Sequence, residues 1–313
     1  MIKREIMKKI AFLFPGQGSQ YPGMAKDFYD TCSCAREVFA CASEAAGLAV
    51  DRLCFEEDER LNQTEFTQIA MVTAEAAMLE VLRQEGIQSS VNAGLSLGEY
   101  TAVLAGGIMK PEDVFYAVRK RGIFMQEAYP QGGAMTAVLG AETALVEECC
   151  KKAGGIVTVA NYNCPGQLVI SGEKDAVDRA AALLKEQGVK RCVPLKVSGP
   201  FHSGLLQGAG EQLREVLAGR SIQPITVPYI SNVTADYVRD ADTVSDLLVK
   251  QVSSSVRWQQ SVERMIHDGI TLFVEIGPGK TLSGFMKRID KSAAVCSLEK
   301  MSDLEQVVRL CRE

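Results

Sequence analysis

Gly94-Leu95-Ser96-Leu97-Gly98-Glu99-Tyr100 restricts the fold of this chain more than any other stretch. It spells G-x-S-x-G. The residues before it, Val91, Asn92 and Ala93, read as a short strand, and Glu99 to Leu104 read as a helix. Strand, tight turn and helix in that order lift the serine above a sheet in an α/β protein. Glycines on either side let backbone pass close, and the helix directs its N-terminus at the hydroxyl. Read as chemistry, Ser96 is a candidate nucleophile. Read as structure alone, the same letters describe a Gly-rich turn, which chance supplies readily in a chain with 27 glycines.

The rest of the chain reads as alternating elements. Ile10 to Phe14 is a first buried strand, stopped by Pro15. Basic residues precede it, but five apolar residues are too few for the core of a signal peptide, which needs about 7 or more. Met1 and Met7 both stand as possible starts. Helices are expected over 24–46, over 67–85 with Gln68 at its start, over 98–107, and from Pro111 to about Ala128. Residues 134–197 then read β-α-β-β-α-β, the ferredoxin-like order, a unit that inserts readily into a larger domain. Beyond it come a helix from Gly204, a strand over 225–233, helices over 243–251 and 256–267, and a final strand at Leu272 to Ile276. Gly277-Pro278-Gly279-Lys280 turns into a last helix.

At 313 residues the length fits one large domain carrying a smaller inserted one. The expected fold is α/β: a hydrolase-like large domain with a central, mostly parallel sheet over 1–131 and 199–313, and a ferredoxin-like small domain over 132–198. A net charge of −5 argues against nucleic acid as a partner. No stretch approaches the roughly 18 apolar residues of a membrane span, so the expected location is cytoplasmic. Ten irregularly spaced cysteines without a C-x-x-C read as reduced and buried. With two histidines, neither at ligand spacing, no metal is expected.

A serine nucleophile needs a base, and a group that holds the base in the useful tautomer. Only His202 and His267 carry an imidazole. His267 ends an amphipathic helix, where a cation has a structural use. His202, in Ser198-Gly199-Pro200-Phe201-His202-Ser203, lies off any apolar periodicity and is the better candidate. No aspartate stands as an obvious third member, which leaves the role to a backbone carbonyl. Pro15-Gly16-Gln17-Gly18-Ser19-Gln20 lacks the letters of a phosphate loop. It reads either as a simple turn or as a loop bringing a backbone N–H and the Gln17 amide to a reacting centre.

Several runs together resemble the malonyl-CoA:acyl carrier protein transacylases, an acyltransferase family of fatty acid and polyketide synthesis. These are Phe14-Pro15-Gly16-Gln17-Gly18-Ser19-Gln20, Gly94-x-Ser96-Leu97-Gly98-Glu99-Tyr100, Arg121-Gly122-x-x-Met125, Asn161-x-Asn163-x-Pro165-Gly166-Gln167 and Gly277-Pro278-Gly279-Lys280. The resemblance runs in order from about Lys9 to Ile289. It implies ping-pong transfer of malonyl from coenzyme A through Ser96 to the phosphopantetheine thiol of acyl carrier protein. By the same resemblance, His202 is acid and base, and the Gln251 carbonyl orients it. The N–H groups of Gln17 and Leu97 form the oxyanion hole, and Arg121 grips the malonyl carboxylate, a bidentate pairing that its planar fork suits. Gln68, Met125, Asn161 and Phe201 are the further substrate contacts, the Phe201 ring leaving little room for an α-methyl branch. No cofactor is implied, since the coenzyme A thioester and phosphopantetheine arrive as substrates. An acidic carrier protein would need a local basic patch, for which Lys280, Lys287 and Arg288 or Lys190, Arg191 and Lys196 are candidates. Two positions depart from the family's pattern. Leu95 stands where histidine is usual, and Ile69 where proline is common, a change expected to shift the start of the helix carrying Gln68. The rival readings are a serine hydrolase, either an α/β-hydrolase esterase or a patatin-like lipase for which Asp268-Gly269 imitates the acid, and a non-catalytic scaffold for acyl carrier protein.

Overall fold

A computed structural model describes residues 8–197 and 199–313. The question of Met1 or Met7 as the start, and the loop residue Ser198, lie outside them. In chain order the first elements are β1 (Ile10–Phe14), α1 (Lys26–Thr31), α2 (Ser33–Ala46), α3 (Val50–Phe55), α4 (Thr64–Gln84), β2 (Val91–Gly94), α5 (Gly98–Ala105) and α6 (Pro111–Glu127). A second group follows: β3 (Gly133–Leu139), α7 (Thr143–Ala153), β4 (Val157–Cys164), β5 (Gln167–Glu173), α8 (Lys174–Glu186) and β6 (Arg191–Pro194). The chain closes with α9 (Gln207–Ala218), β7 (Tyr229–Ile230), β8 (Tyr237–Val238), α10 (Val244–Gln251), α11 (Trp258–His267), β9 (Leu272–Ile276), α12 (Thr281–Ile289), β10 (Ala294–Leu298) and α13 (Leu304–Arg312).

The larger sheet runs β10-β9-β1-β2-β7-β8. Its pairs are parallel from β10 to β7, and β8 closes the edge antiparallel. Every residue of β1, β2 and β9 is buried, as a parallel sheet covered on both faces requires. The period of two is visible in β1. Ile10, Phe12 and Phe14 face one apolar layer with Phe28, Phe39 and the α4 side chains, while Ala11 and Leu13 face another with Trp258, Val262, Leu282 and Met286.

The smaller sheet is antiparallel, in the order β4-β5-β3-β6. Val138 and Ile170 pack with α7 and α8 on one face, among Val146, Cys149, Val177, Ala180 and Leu184. Met135 and Val169 belong to the opposite face and line the cavity described below. Among the described residues no helix is long and apolar enough to cross a membrane.

Local readings depart from the structure in several places. The helix expected over 24–46 is broken at Cys32, whose extended φ of −116° and ψ of 129° separate α1 from α2. Helix α4 begins at Thr64, so Gln68 lies in its second turn and Ile69 deeper still, fully buried in the core. Ile69 therefore contributes to core packing from the second turn of this helix. The strand expected over 225–233 shrinks to the two residues of β7. The helix after Gly277-Pro278-Gly279-Lys280 is not the last: β10 and α13 follow it. β10 escapes a periodicity reading because it is an edge strand with only Leu298 buried.

Candidate active site

Ser96 stands on the turn between β2 and α5 with φ at +53°, a left-handed conformation that costs a side-chain-bearing residue roughly 1–2 kcal/mol. The flanking glycines make the turn possible. A Cβ on Gly94 would lie 1.9 Å from the Gly98 carbonyl carbon, and one on Gly98 would lie 2.2 Å from the Phe14 carbonyl oxygen. Asn232, just past β7, holds the turn from below: its Oδ1 accepts from the Ser96 N–H at 2.7 Å and its Nδ2 donates to the Gly94 carbonyl at 2.7 Å.

The Ser96 Oγ lies 2.6 Å from His202 Nε2. His202 is itself left-handed, with φ at +60°, and is buried. Its Nδ1 faces two carbonyl oxygens, Gln251 at 3.0 Å and Ser254 at 3.1 Å. Carbonyls only accept, so Nδ1 carries the proton and Nε2 is left free to accept from the serine hydroxyl. Burial, reinforced by the nearby Arg121 charge, pushes the imidazole down to about 4, which keeps it a neutral base at physiological pH.

Arg121, on α6, is 1% exposed. Its Nη1 donates to Gln68 Oε1 at 2.7 Å and its Nη2 to Gln251 Oε1 at 3.0 Å, and Nη2 stands 3.4 Å from Ser96 Oγ. The guanidinium also lies 5.3 Å from the centroid of the Tyr100 ring. Its basic neighbours differ: Arg119 is half-buried and pairs with Glu65 at 3.0 Å. Gln68 completes the α4–α6 contact through Nε2 to Met125 Sδ at 3.5 Å. The Gln17 side chain donates to Thr64 Oγ1 at 3.1 Å. Among the described residues, the backbone N–H groups of Gln17 and Leu97 have no protein acceptor, and both residues line the same space as Ser96.

That space is a cavity of about 300 Å³. Gln17, Gln68, Ser96, Leu97, Arg121, Met125, Asn161, Phe201 and His202 all line it, so nine of the ten expected site residues meet there; Gln251 is buried behind them. The arrangement pairs an oxygen nucleophile with a neutral base, two free N–H donors and a fixed cation. Such a set suits transfer of an acyl group that carries a negative charge. Among the described residues no group of three or more His, Cys, Asp or Glu gathers to hold a metal.

The sequence profile of the acyl transferase domain matches residues 11–309. The chain belongs to the acyl transferase family. It is 43% identical to the malonyl CoA-acyl carrier protein transacylase of Bacillus subtilis, over 98% of each chain. A crystal structure of malonyl CoA-acyl carrier protein transacylase from Clostridium perfringens superposes with a TM-score of 0.94, at 44% identity and 97% coverage of both chains. A type II PKS acyl-carrier protein in complex with its malonyl-transacylase is a further neighbour, with a TM-score of 0.93, 36% identity, and 96% of this chain and 99% of that one covered.

In this acyl transferase the two discarded candidates lie elsewhere. His267 is exposed at the end of α11, and Asp268 pairs with Arg264 at 2.8 Å. Sequence reading missed Asn232 and Ser254 and gave no role to the motif residue Asn163, which lines the cavity with Leu195 and Val197. The available signal for Asn232 was a polar pair, Ser231-Asn232, directly after an apolar strand and fully buried in the fold. Ser254 acts through its carbonyl and so leaves no trace in the residue type. Leu95, the unusual residue of the motif, is half-buried and lines the cavity beside the nucleophile.

Proposed function

We propose that this acyl transferase moves malonyl from malonyl-CoA to the phosphopantetheine thiol of acyl carrier protein through a malonyl-Ser96 ester, supplying the extender unit for fatty acid synthesis. The observation that carries the proposal is Arg121 Nη2 at 3.4 Å from a serine oxygen that also lies 2.6 Å from a neutral imidazole. A fixed cation beside the nucleophile suits an acyl group ending in a carboxylate.

In the first half-reaction His202 Nε2 takes the Ser96 proton as Oγ attacks the thioester carbonyl. The N–H groups of Gln17 and Leu97 receive the developing oxyanion, single donors of this kind being worth roughly 3 kcal/mol. The C–S bond then breaks and His202 returns the proton to the leaving coenzyme A thiolate. The second half runs in reverse, His202 activating the phosphopantetheine thiol. The Gln251 carbonyl holds the His202 tautomer, and Gln68, Met125, Asn161 and Phe201 shape the acyl pocket. Coenzyme A and phosphopantetheine enter as substrates and the chemistry calls for no further cofactor.

Intact mass after incubation with malonyl-CoA tests this directly. The wild type is expected to gain one malonyl group and Ser96→Ala none; a modified Ser96→Ala protein would end the assignment. A serine hydrolase differs only in the acceptor, and release of free malonate faster than loading of carrier protein would favour it. The relatives' names argue for transfer.

The β-α-β-β-α-β segment within 132–198 is read as a ferredoxin-like small domain inserted into a hydrolase-like large one, its sheet order being consistent with that. The carrier protein is read as docking on a local basic patch. Lys190, Arg191, Lys196, Lys280 and Lys287 are exposed, whereas Arg288 is engaged with Gln167 and the Pro165 carbonyl. Lys280→Glu with Lys287→Glu should raise KM for carrier protein and leave that for malonyl-CoA unchanged; the reverse pattern would reject the patch. The cytoplasm is the location this chemistry suits.

A further inference from the structure

Glu99 immediately follows the second glycine of the nucleophile turn and is fully buried, yet the chemistry above makes no use of it. Its Oε2 accepts from the Asn232 N–H at 3.2 Å and from Gln251 Nε2 at 2.8 Å. Burying a carboxylate is costly unless a cation or several donors compensate. The nearby cation is Arg121, and the link to it is a single side chain. Gln251 donates through Nε2 to Glu99 and to the Ser96 carbonyl at 2.7 Å, and accepts through Oε1 from Arg121 Nη2.

An amide has one donating end and one accepting end, so its neighbours decide which way it points. With Glu99 as acceptor, the NH₂ of Gln251 faces Glu99 and the oxygen faces Arg121. The flipped amide would set oxygen against carboxylate and NH₂ against guanidinium, losing both contacts. Asn232 fixes the other side of the same carboxylate and braces Ser96 and Gly94.

We infer that Glu99 is a positioning residue that fixes the Gln251 amide and, through it, aims Arg121 at the reacting centre, so that preference for acyl groups with a terminal carboxylate depends on it. This rests on the acyl-transfer reading and adds a residue to it. Glu99 touches no substrate. It acts only by deciding where the cation stands when the acyl group arrives.

The test compares malonyl-CoA with acetyl-CoA as acyl donors for wild type, Glu99→Gln, Gln251→Leu and the double variant. Assayed at pH 8, where the wild-type carboxyl is ionised, Glu99→Gln keeps the shape of the side chain but removes the charge that orients Gln251. Its kcat/KM is expected to fall roughly 10- to 30-fold for malonyl-CoA and less than about threefold for acetyl-CoA, with the malonyl loss expressed mainly in KM. Gln251→Leu cuts the same link and should lose the same selectivity. The double variant should fall no further than the worse single, since Glu99 acts through Gln251. Equal losses for the two donors would reduce Glu99 to a packing role, additive losses would separate it from Gln251, and unchanged selectivity would overturn the inference. Gln251→Leu reads the same link should Glu99→Gln fail to fold. Failure of the wild type to accept malonyl would instead overturn the acyl-transfer reading itself.

Discussion

At the scale of single residues, the site works because three side chains and a turn are held in arrangements that none would adopt alone. Ser96 and His202 both carry positive φ, and their oxygen–nitrogen contact is 2.6 Å. Arg121 has two consequences that one variant separates. On the proposed reading Arg121 anchors the substrate carboxylate, so in Arg121→Ala malonyl transfer should fall roughly 100-fold, the scale of a bidentate charge-assisted pair, with a smaller loss for uncharged acyl groups. Equal loss for both would contradict the anchoring role. The same substitution removes one of the two influences that depress His202 to about 4, the larger being burial. A base acts when unprotonated, so wild-type single-turnover acylation at saturating malonyl-CoA, where the KM effect of Glu99 titrating near 7 does not show, should stay level as pH falls from 8 to near 5 and drop only below. In Arg121→Ala the drop should begin at higher pH. A wild-type drop already centred near 6.5, the ordinary histidine value, would show that the imidazole is not depressed.

At the scale of elements, the close crossing of α4 and α6 sets the distance between Gln68 and Arg121. Gly122 is the contact point: a Cβ there would lie 2.9 Å from Glu65 Cα and 3.1 Å from the Glu65 and Thr64 carbonyl oxygens, all backbone atoms. Gly122→Ala should therefore push the helices apart and cost about 1–3 kcal/mol, measured as a shift in the urea midpoint. KM for malonyl-CoA should rise with it, because Arg121 moves with α6; a destabilised variant with unchanged KM would uncouple the crossing from the site. A second element is placed by a buried carboxylate. Glu275, in β9, accepts from the Leu282 and Ser283 N–H groups at 2.9 and 2.8 Å and so seats the N-terminus of α12 against the sheet. The long helices and buried strands were legible from periodicity, whereas β8 and β10 were not, since a two-residue strand has no period and an edge strand hides too few residues to show one.

At the scale of the whole molecule, buried titratable groups make stability depend on pH in two opposing ways. Burial raises Glu99 to about 7, and Glu75 and Glu275 are raised as well. A raised carboxyl contributes stability that is fully present below the unfolded value of about 4.3 and lost as pH climbs through the folded value. His202 does the opposite: its contribution is present above about 6.5 and lost as pH falls toward 4. The two slopes oppose each other between about pH 4.3 and 6.5. Comparing wild type with Glu99→Gln cancels the histidine. From pH 4.5 to 8, wild type should lose stability relative to the variant by on the order of 3 kcal/mol, with the change complete near pH 8. Parallel stability curves for the two proteins would show that Glu99 does not titrate in this window.

The sequence by itself determined most of the long elements and the chemical types. The G-x-S-x-G turn, the βαββαβ run, the choice of His202 over His267 and the family's motifs all follow from local residue order, because turn sterics and periodicity are short-range effects. The tertiary structure alone decided which polar groups meet. Asn232 reaches Ser96 across 136 positions and Gln251 reaches Glu99 across 152. Arg121, read alone, is one of three basic residues in a row, and only the packing of α6 on α4 makes it the buried one. Hydrogen bonds across such separations leave no periodic mark. They are fixed when the sheet closes and water is excluded, and that is when a buried carboxylate must find its donors.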